Sequence, residues 1–491
     1  MTVLDTALRP VLDALDVPTD LLVDGVWRAA AGGRRLEVTD PADGSVLATV
    51  ADAGPADAVA AVEAAAAAAA GWAATPPRER SDLLLRVFDL MLDRSEELAL
   101  LISLENGKSL ADARGEVRYA AEFFRWYAEE GVRLRGQVGL APGGANRLLV
   151  GYQPVGVSIL VTPWNFPAAM ATRKIAPALA AGCTAVLKPA AETPLTALAV
   201  AALMQQAGLP AGVLGVVTTS DPGPVVEAML THPRTRMLSF TGSTEVGRVL
   251  LRTAAGSVLK CAMELGGNAP FLVLADADVD AALDGAMVAK MRNGGQACTA
   301  ANRFFVHDDV HDAFVEGLVA RMGAVRVGRG TDESTGCGPL IDGAAVDKVD
   351  RLVRDALDRG ARAVLGGQRP DGPGCFYPPT VLVDVPADAA VLHEEVFGPV
   401  APVVRFSDED EVLTQVNDTV YGLVSYLYTR DLGRGLALAE RLESGMVGLN
   451  RGLVSDPAAP FGGTKQSGLG REGSSEGLLE FVEAQYVATS W

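Results

Sequence analysis

The sequence is poor in the side chains that hold metals or form disulfide frameworks. Its five cysteines, Cys183, Cys261, Cys298, Cys337 and Cys375, form an odd set without CxxC spacing. That argues against a disulfide scaffold and for a reducing, cytoplasmic compartment. Four histidines give one close pair, His307 and His311, among Asp308, Asp309 and Asp312. Nothing completes a ligand set around this pair, so it reads as a solvated helix start and no metal site is expected. Positive charge is also scarce. A formal net charge of −19 argues against nucleic acid or an anionic membrane as a partner. An anionic small molecule remains acceptable if local arginines overcome the global field, which is screened over about 8 Å. The first residues have no basic region and carry Asp5, Asp13 and Asp16, unlike a signal peptide. The longest uncharged stretch, residues 193–220, is broken by Gln205-Gln206 and by Gly208-Leu209-Pro210-Ala211-Gly212. It reads as helix, turn and strand, and no membrane span is expected. A convincing GxGxxG fingerprint is missing as well.

What is present suits an α/β protein. At 491 residues with 49% hydrophobic side chains, 53 glycines and 28 prolines, the chain predicts two large domains with many short connections. After a short helical start over residues 1–16, residues 24–50 alternate like strands joined by turns such as Asp43-Gly44. The alanine run over 57–72 is a strong helix former, and helix continues over 78–130, with a 3.6-residue period in Leu83, Val87, Leu90 and Met91. Residues 134–157 read as a glycine-punctuated hairpin whose free edge needs a partner. Beyond it, strands at 155–161, 184–188, 215–218 and 237–240 alternate with helices, which predicts a parallel sheet covered on both faces. A second alternating block follows Asn268. The tail from Pro460 is glycine-rich, then helical, and ends in a strand over 481–491.

Several segments carry candidate chemistry. Phe240-Thr241-Gly242-Ser243-Thr244-Glu245-Val246-Gly247 follows a predicted strand and opens a predicted helix. Its small residues would let a pyrophosphate approach the helix N-terminus, though an ordinary strand-to-helix turn looks the same. Lys188 ends a strand before Pro189, where open parallel sheets bind ligands; it can meet ribose hydroxyls or a phosphate, or simply be solvated. Cys298 follows Gly294 and Gly295 in Met291-Arg292-Asn293-Gly294-Gly295-Gln296-Ala297-Cys298. As a thiolate it would be a nucleophile. The other four cysteines read as small inert hydrophobes.

Taken together, Pro163-Trp164-Asn165-Phe166-Pro167, Lys188-Pro189-Ala190, Glu264-Leu265-Gly266-Gly267, Gly295-Gln296-Ala297-Cys298 and Glu394-Glu395-Val396-Phe397-Gly398-Pro399 resemble the aldehyde dehydrogenase superfamily, in the family's order and over nearly the whole chain. The resemblance implies a Rossmann-like parallel-sheet cofactor domain (1–133 and 158–264), a second α/β catalytic domain (265–459), and a protruding β-hairpin that joins the tail in oligomerisation (134–157 and 460–491). It implies a homodimer or homotetramer in which those segments pair across subunits. The implied catalytic set is Cys298 as nucleophile, Glu264 as general base, Asn165 as oxyanion donor, and Lys188. Trp164, Asn165, Lys188, Ala191, Gly242, Ser243, Leu265, Glu395 and Phe397 would face the dinucleotide.

Ala171-Thr172-Arg173-Lys174, Met291-Arg292-Asn293, Gly452-Leu453-Val454-Ser455 and the glycine-rich stretch from Pro460 to Gly473 resemble the succinate-semialdehyde dehydrogenase branch. There, residues matching Arg173, Arg292 and Ser455 bind a substrate carboxylate, a role that suits arginine's bidentate geometry. An internal salt bridge is the competing reading for either arginine. The expected activity is NAD(P)-dependent oxidation of succinate semialdehyde to succinate. The same chemistry on glutarate semialdehyde or another short aldehyde is the alternative, and a non-catalytic homologue is the alternative of another class. Three departures from the branch matter. Ala300 stands where many members carry a second cysteine, so no redox switch is expected. Arg451 could add a third cation near the substrate. Ala191 stands where NAD-preferring relatives often place a glutamate that repels a 2′-phosphate, so NADP is favoured and NAD is possible.

Overall fold

The computed structural model describes residues 10–11, 14–15 and 17–491. Most of the expected helical start lies outside the described residues.

Residues 24–50 form short strands, Val26–Arg28, Arg35–Thr39 and Val46–Ala51, as their alternation predicts. The alanine run becomes the helix Pro55–Ala74. This is the one helix among the described residues long and apolar enough to cross a membrane. Its stripe of Ala58, Ala61, Val62 and Ala65 is instead buried in a core shared with strand residues Ile159 and Val186. The helical stretch over 78–130 divides into three, Pro77–Asp93, Ser95–Asn106 and Leu110–Gly131. Gly107, at φ 88°, stops the second, and the Ser109 hydroxyl starts the third by accepting from the Asp112 N–H.

The first sheet has eight strands, in the spatial order Gly468–Leu469, Lys260–Glu264, Thr235–Thr241, Val157–Val161, Ala185–Lys188, Leu214–Val216, Leu21–Val23 and Val26–Arg28. The inner five run parallel and the added edge strands run antiparallel. The chain proceeds from Val157–Val161 outward to one side, then returns to build the other. That reversal opens a crevice beyond the strands' carboxyl ends, the usual ligand site of such sheets. Asn165, Lys188, Gly242 and Glu264 all lie at those ends. The tail segment 460–491 does not stand apart from this domain, because Gly468 and Leu469 pair with Glu264 and Met263.

The second sheet has seven strands, centred on the parallel strands Ala269–Val273, Ala301–His307, Val400–Phe406 and Val424–Tyr428. Cys298 lies in the connection between the helix Val279–Met291 and the strand Ala301–His307. The hairpin strands Gln137–Leu140 and Arg147–Pro154 form a separate sheet with Val482–Thr489 of the same chain, registered from Val482↔Pro154 to Thr489↔Arg147.

Candidate active site

The segment after Val157–Val161 turns sharply at Pro163-Trp164-Asn165 and enters the helix Pro167–Ala181. The Asn165 amide nitrogen donates to the Gln296 carbonyl at 3.1 Å, tying this turn to the Cys298 loop. One amide N–H remains for a ligand. The Asn165 backbone carbonyl accepts from Lys108 Nζ at 2.6 Å and from the Asn293 amide at 2.9 Å. Lys108 is paired with the equally buried Glu116 at 2.5 Å. The other Glu116 oxygen accepts from the backbone N–H groups of Ala168 and Ala169, at 2.9 and 3.2 Å. A carboxylate at a helix N-terminus is favourably placed, so this ion pair fixes Asn165 from two directions.

The Cys298 loop is shaped by three successive left-handed residues, Asn293, Gly294 and Gly295, at φ 53°, 59° and 78°. The Asn293 N–H donates to Asp112 at 2.9 Å. A side chain at Gly295 would collide with the Gly398 carbonyl oxygen, so a glycine is needed there both for its φ and for its close approach. The loop delivers Cys298 to a cavity of about 400 Å³. Burial pushes the Cys298 thiol up to about 12; Arg173 opposes this, Glu395 and Glu264 reinforce it, and Arg292 opposes it.

Most of the expected residues meet in this cavity. Trp164, Leu265, Gly242, Ser243, Glu395 and Phe397, expected to face a dinucleotide, all line it, and so do Arg173, Arg292 and Ser455, expected to face a substrate. The thiol feels the charges of Glu395 and of both arginines. In the first group, Trp164 and Phe397 meet edge to face at 5.4 Å. Glu395 accepts from the Gly267 N–H at 3.1 Å, and burial raises its carboxyl to about 7. Ser243 caps the helix Thr244–Ala255, and a Cβ at Gly247 would press on Leu265. An aromatic corner, a carboxylate able to accept from hydroxyls and a helix N-terminus suit a nicotinamide dinucleotide. Lys188 and Ala191 are outside the cavity lining. Burial depresses the Lys188 ammonium, with Glu192 opposing.

Glu264 is also outside the lining. It is buried at its strand end, with one carboxyl oxygen lacking any hydrogen bond and the other facing Gly462. Burial, then Glu472, raises its carboxyl well above the ordinary range, against Arg173, Lys174 and Arg471. A carboxyl made more basic in this way is a stronger proton acceptor once ionised. Glu472 itself is opposed by burial but held below the ordinary range by Arg173 and Lys174, both of which bond to it.

That contact decides between the two readings of the arginines. Arg173 makes an internal salt bridge through Nε to Glu472 and lies over the Phe461 ring at 4.2 Å. Its buried Nη2 nonetheless has no partner. Arg292 makes no ion pair among the described residues; its contacts are Thr299 Oγ1 at 3.5 Å and the Phe166 ring at 5.0 Å. The third cation does not materialise. Arg451 is exposed and bonds the Leu453 carbonyl at 3.0 Å, holding the Ser455 segment from outside the cavity.

Reading the sequence missed Lys108, Asp112, Glu116, Tyr119 and Glu472. A signal for three of these exists. Asp112, Glu116 and Tyr119 are spaced i, i+4, i+7, one polar stripe on a helix otherwise buried through Val117, Ala120, Phe124 and Tyr127.

Comparison with known proteins agrees with this geometry. The sequence model of the Aldehyde dehydrogenase family matches residues 27–487. The chain is 56% identical to a succinate-semialdehyde dehydrogenase of Paenarthrobacter nicotinovorans, covering 90% of this chain and 98% of that protein. It is 50% identical to a glutarate-semialdehyde dehydrogenase of Pseudomonas putida, covering 95% and 97%. The crystal structure of an NADP-dependent enzyme from E. coli superimposes with a TM-score of 0.96 at 48% identity, covering 98% and 99%.

Proposed function

The chain belongs to the aldehyde dehydrogenase family and is an NAD(P)-dependent oxidoreductase, and on that premise we propose that it oxidises succinate semialdehyde to succinate, preferring NADP. The observation that carries the substrate is Arg292, a guanidinium free of ion pairs that lines the same cavity as Cys298. Such a cation can pair with the carboxylate at the far end of a short aldehyde held at the thiol. The Pseudomonas putida relative, at 50% identity, supports a second reading in which glutarate semialdehyde, one carbon longer, is the substrate. A non-catalytic homologue is disfavoured because Cys298, Glu264, Asn165 and Lys188 are all retained.

In the proposed reaction one aldehyde, one water and one oxidised dinucleotide give the carboxylate, the reduced dinucleotide and two protons. The dinucleotide, when bound, accepts the hydride. Trp164, Leu265 and Phe397 would enclose its ring, Glu395 its ribose, and Gly242 and Ser243 its pyrophosphate. Cys298 loses its proton and its sulfur bonds to the aldehyde carbon. The free Asn165 N–H and the Cys298 backbone N–H hold the oxygen that becomes negative, each worth about 3 kcal/mol in comparable sites. Loss of the hydride leaves a thioester on Cys298. Glu264 takes a proton from water, whose oxygen displaces the sulfur and releases the acid. Lys188 would meet the ribose or phosphate, and Ala191 offers no carboxylate to repel a 2′-phosphate.

We place the enzyme in the cytoplasm, as a homodimer or homotetramer. The domain division at 133/134, 157/158, 264/265 and 459/460 is part of this reading. The tail strand already pairs with the hairpin inside one chain, so assembly would use the sheet's remaining edge and face, where Val138, Leu140 and Tyr486 are exposed.

The test is kcat/KM for succinate semialdehyde and for butanal, each with NADP and NAD, on wild type and Arg292→Ala. A loss of about tenfold to hundredfold confined to the semialdehyde is expected from removing a charged hydrogen bond. Equal losses on both aldehydes would sink the substrate assignment, and a higher value with NAD would sink the cofactor preference.

A further inference from the structure

We infer that the Tyr119 hydroxyl is a further donor to the distal carboxylate of the substrate, beside Arg173 and Arg292, and that it helps set which anionic aldehydes the cavity accepts. This deepens the semialdehyde reading and rests on it.

Tyr119 belongs to the helix Leu110–Gly131, on the stripe whose Asp112 and Glu116 hold Asn293 and the start of the Pro167–Ala181 helix. Its ring is fixed edge-on against Phe123, with centroids 4.9 Å apart, and it lines the cavity with Cys298. The hydroxyl is buried and has no hydrogen-bond partner among the described residues. Buried tyrosine hydroxyls ordinarily find a partner, so this one awaits something the protein does not supply. The chemistry of that partner follows from the neighbours. Arg173 is held by Glu472 through Nε, which leaves Nη2 also buried and without a partner. Tyr119 lies in the fields of both Arg173 and Arg292, and burial raises its phenol against them, so it remains a donor at neutral pH.

Two cationic donors and one neutral hydroxyl thus line the same cavity, with Arg173 Nη2 and the hydroxyl both unbonded among the described residues. A carboxylate offers two oxygens and about four lone-pair sites. It can take a bond from each arginine and a further one from the hydroxyl. A neutral aldehyde has no group to answer any of them.

The experiment uses the full-length enzyme with saturating NADP. Tyr119→Phe keeps the ring and removes only an unbonded oxygen, so its melting temperature should equal or exceed that of wild type. Succinate semialdehyde should lose about tenfold in kcat/KM, mostly as a higher KM, while butanal changes less than twofold. Succinate, read as a competitive inhibitor, should weaken by a similar factor. If Arg292→Ala is selective for the semialdehyde but Tyr119→Phe acts equally on both aldehydes or on neither, this inference falls and the substrate assignment stands. If wild type shows no preference for the semialdehyde, both fall together.

Discussion

Lys108 reaches the backbone carbonyl of Asn165 at 2.6 Å from a position with no exposure of its own side chain. A fully buried ammonium therefore sets the height of the residue proposed to hold the oxyanion. It touches neither the cavity nor Cys298.

Lys108→Met should accordingly harm both stability and rate. It strands the Glu116 carboxylate, and breaking a buried pair from one side costs about 3–5 kcal/mol. A urea melt should show this directly. Because Asn165 loses one anchor, kcat should fall at least tenfold with KM little changed. A normal kcat in folded protein would refute the positioning role.

The Cys298 thiol, pushed up to about 12 by burial, is protonated in the free enzyme at neutral pH. The thiolate is the reactive form, so inactivation by iodoacetamide should rise about tenfold per pH unit from pH 7 to 10. A plateau near pH 8 would show an ordinary or activated thiol instead.

Glu395 makes stability depend on pH. Its folded carboxyl keeps a proton to about 7, whereas an unfolded glutamate releases it near 4.3. The unfolded chain ionises first, so this group's contribution falls between about pH 4 and 7 and stays low above, a loss of about 4 kcal/mol. Glu395→Gln removes the dependence. Denaturation midpoints at pH 5 and pH 8, without dinucleotide, should differ less in the variant than in wild type.

Gly295→Ala should disable the loop without touching its chemistry. A left-handed φ costs alanine about 1 kcal/mol, and the new methyl meets the Gly398 backbone, which cannot rotate away. A loss of activity of at least a hundredfold is expected, with a lowered melting temperature. Near-normal turnover would mean that the loop relaxes freely.

Much of this arrangement was legible in the sequence because it is local. Pro163-Trp164-Asn165, Gly294-Gly295 and Gly242-Ser243 carry their turns with them, and each falls where strand periodicity breaks. The alternation from residue 155 onward likewise predicted four of the five inner strands of the first sheet, Lys260–Glu264 being the one it did not mark. The residues that escaped notice act through long-range contacts. Lys108 follows a helix-ending glycine and looks like a surface lysine until Glu116 and Asn165 close over it. Arg173 read first as ligand-binding with a salt bridge as the competing reading, and the structure makes it salt-bridged while leaving Nη2 without a partner among the described residues. That outcome required Glu472, which lies in another region of the chain. Arg451 shows the converse. Its neighbours suggested a cavity cation, but its side chain turns back to Leu453 and solvent.

The Arg173–Glu472 bond spans 299 residues of sequence, and this gives the protein a particular biography. During synthesis the arginine leaves the ribosome long before its carboxylate exists, and nearly the whole chain must emerge before the two can meet. A chain cut short before Glu472 would carry Arg173 and Lys174 without the carboxylate that both of them bond to. Truncated products should therefore be unable to settle into a shape with a working pocket, which ties turnover to completed translation. A fragment that ends early is then a substrate for proteolysis and not a partly working enzyme at large among the cell's aldehydes.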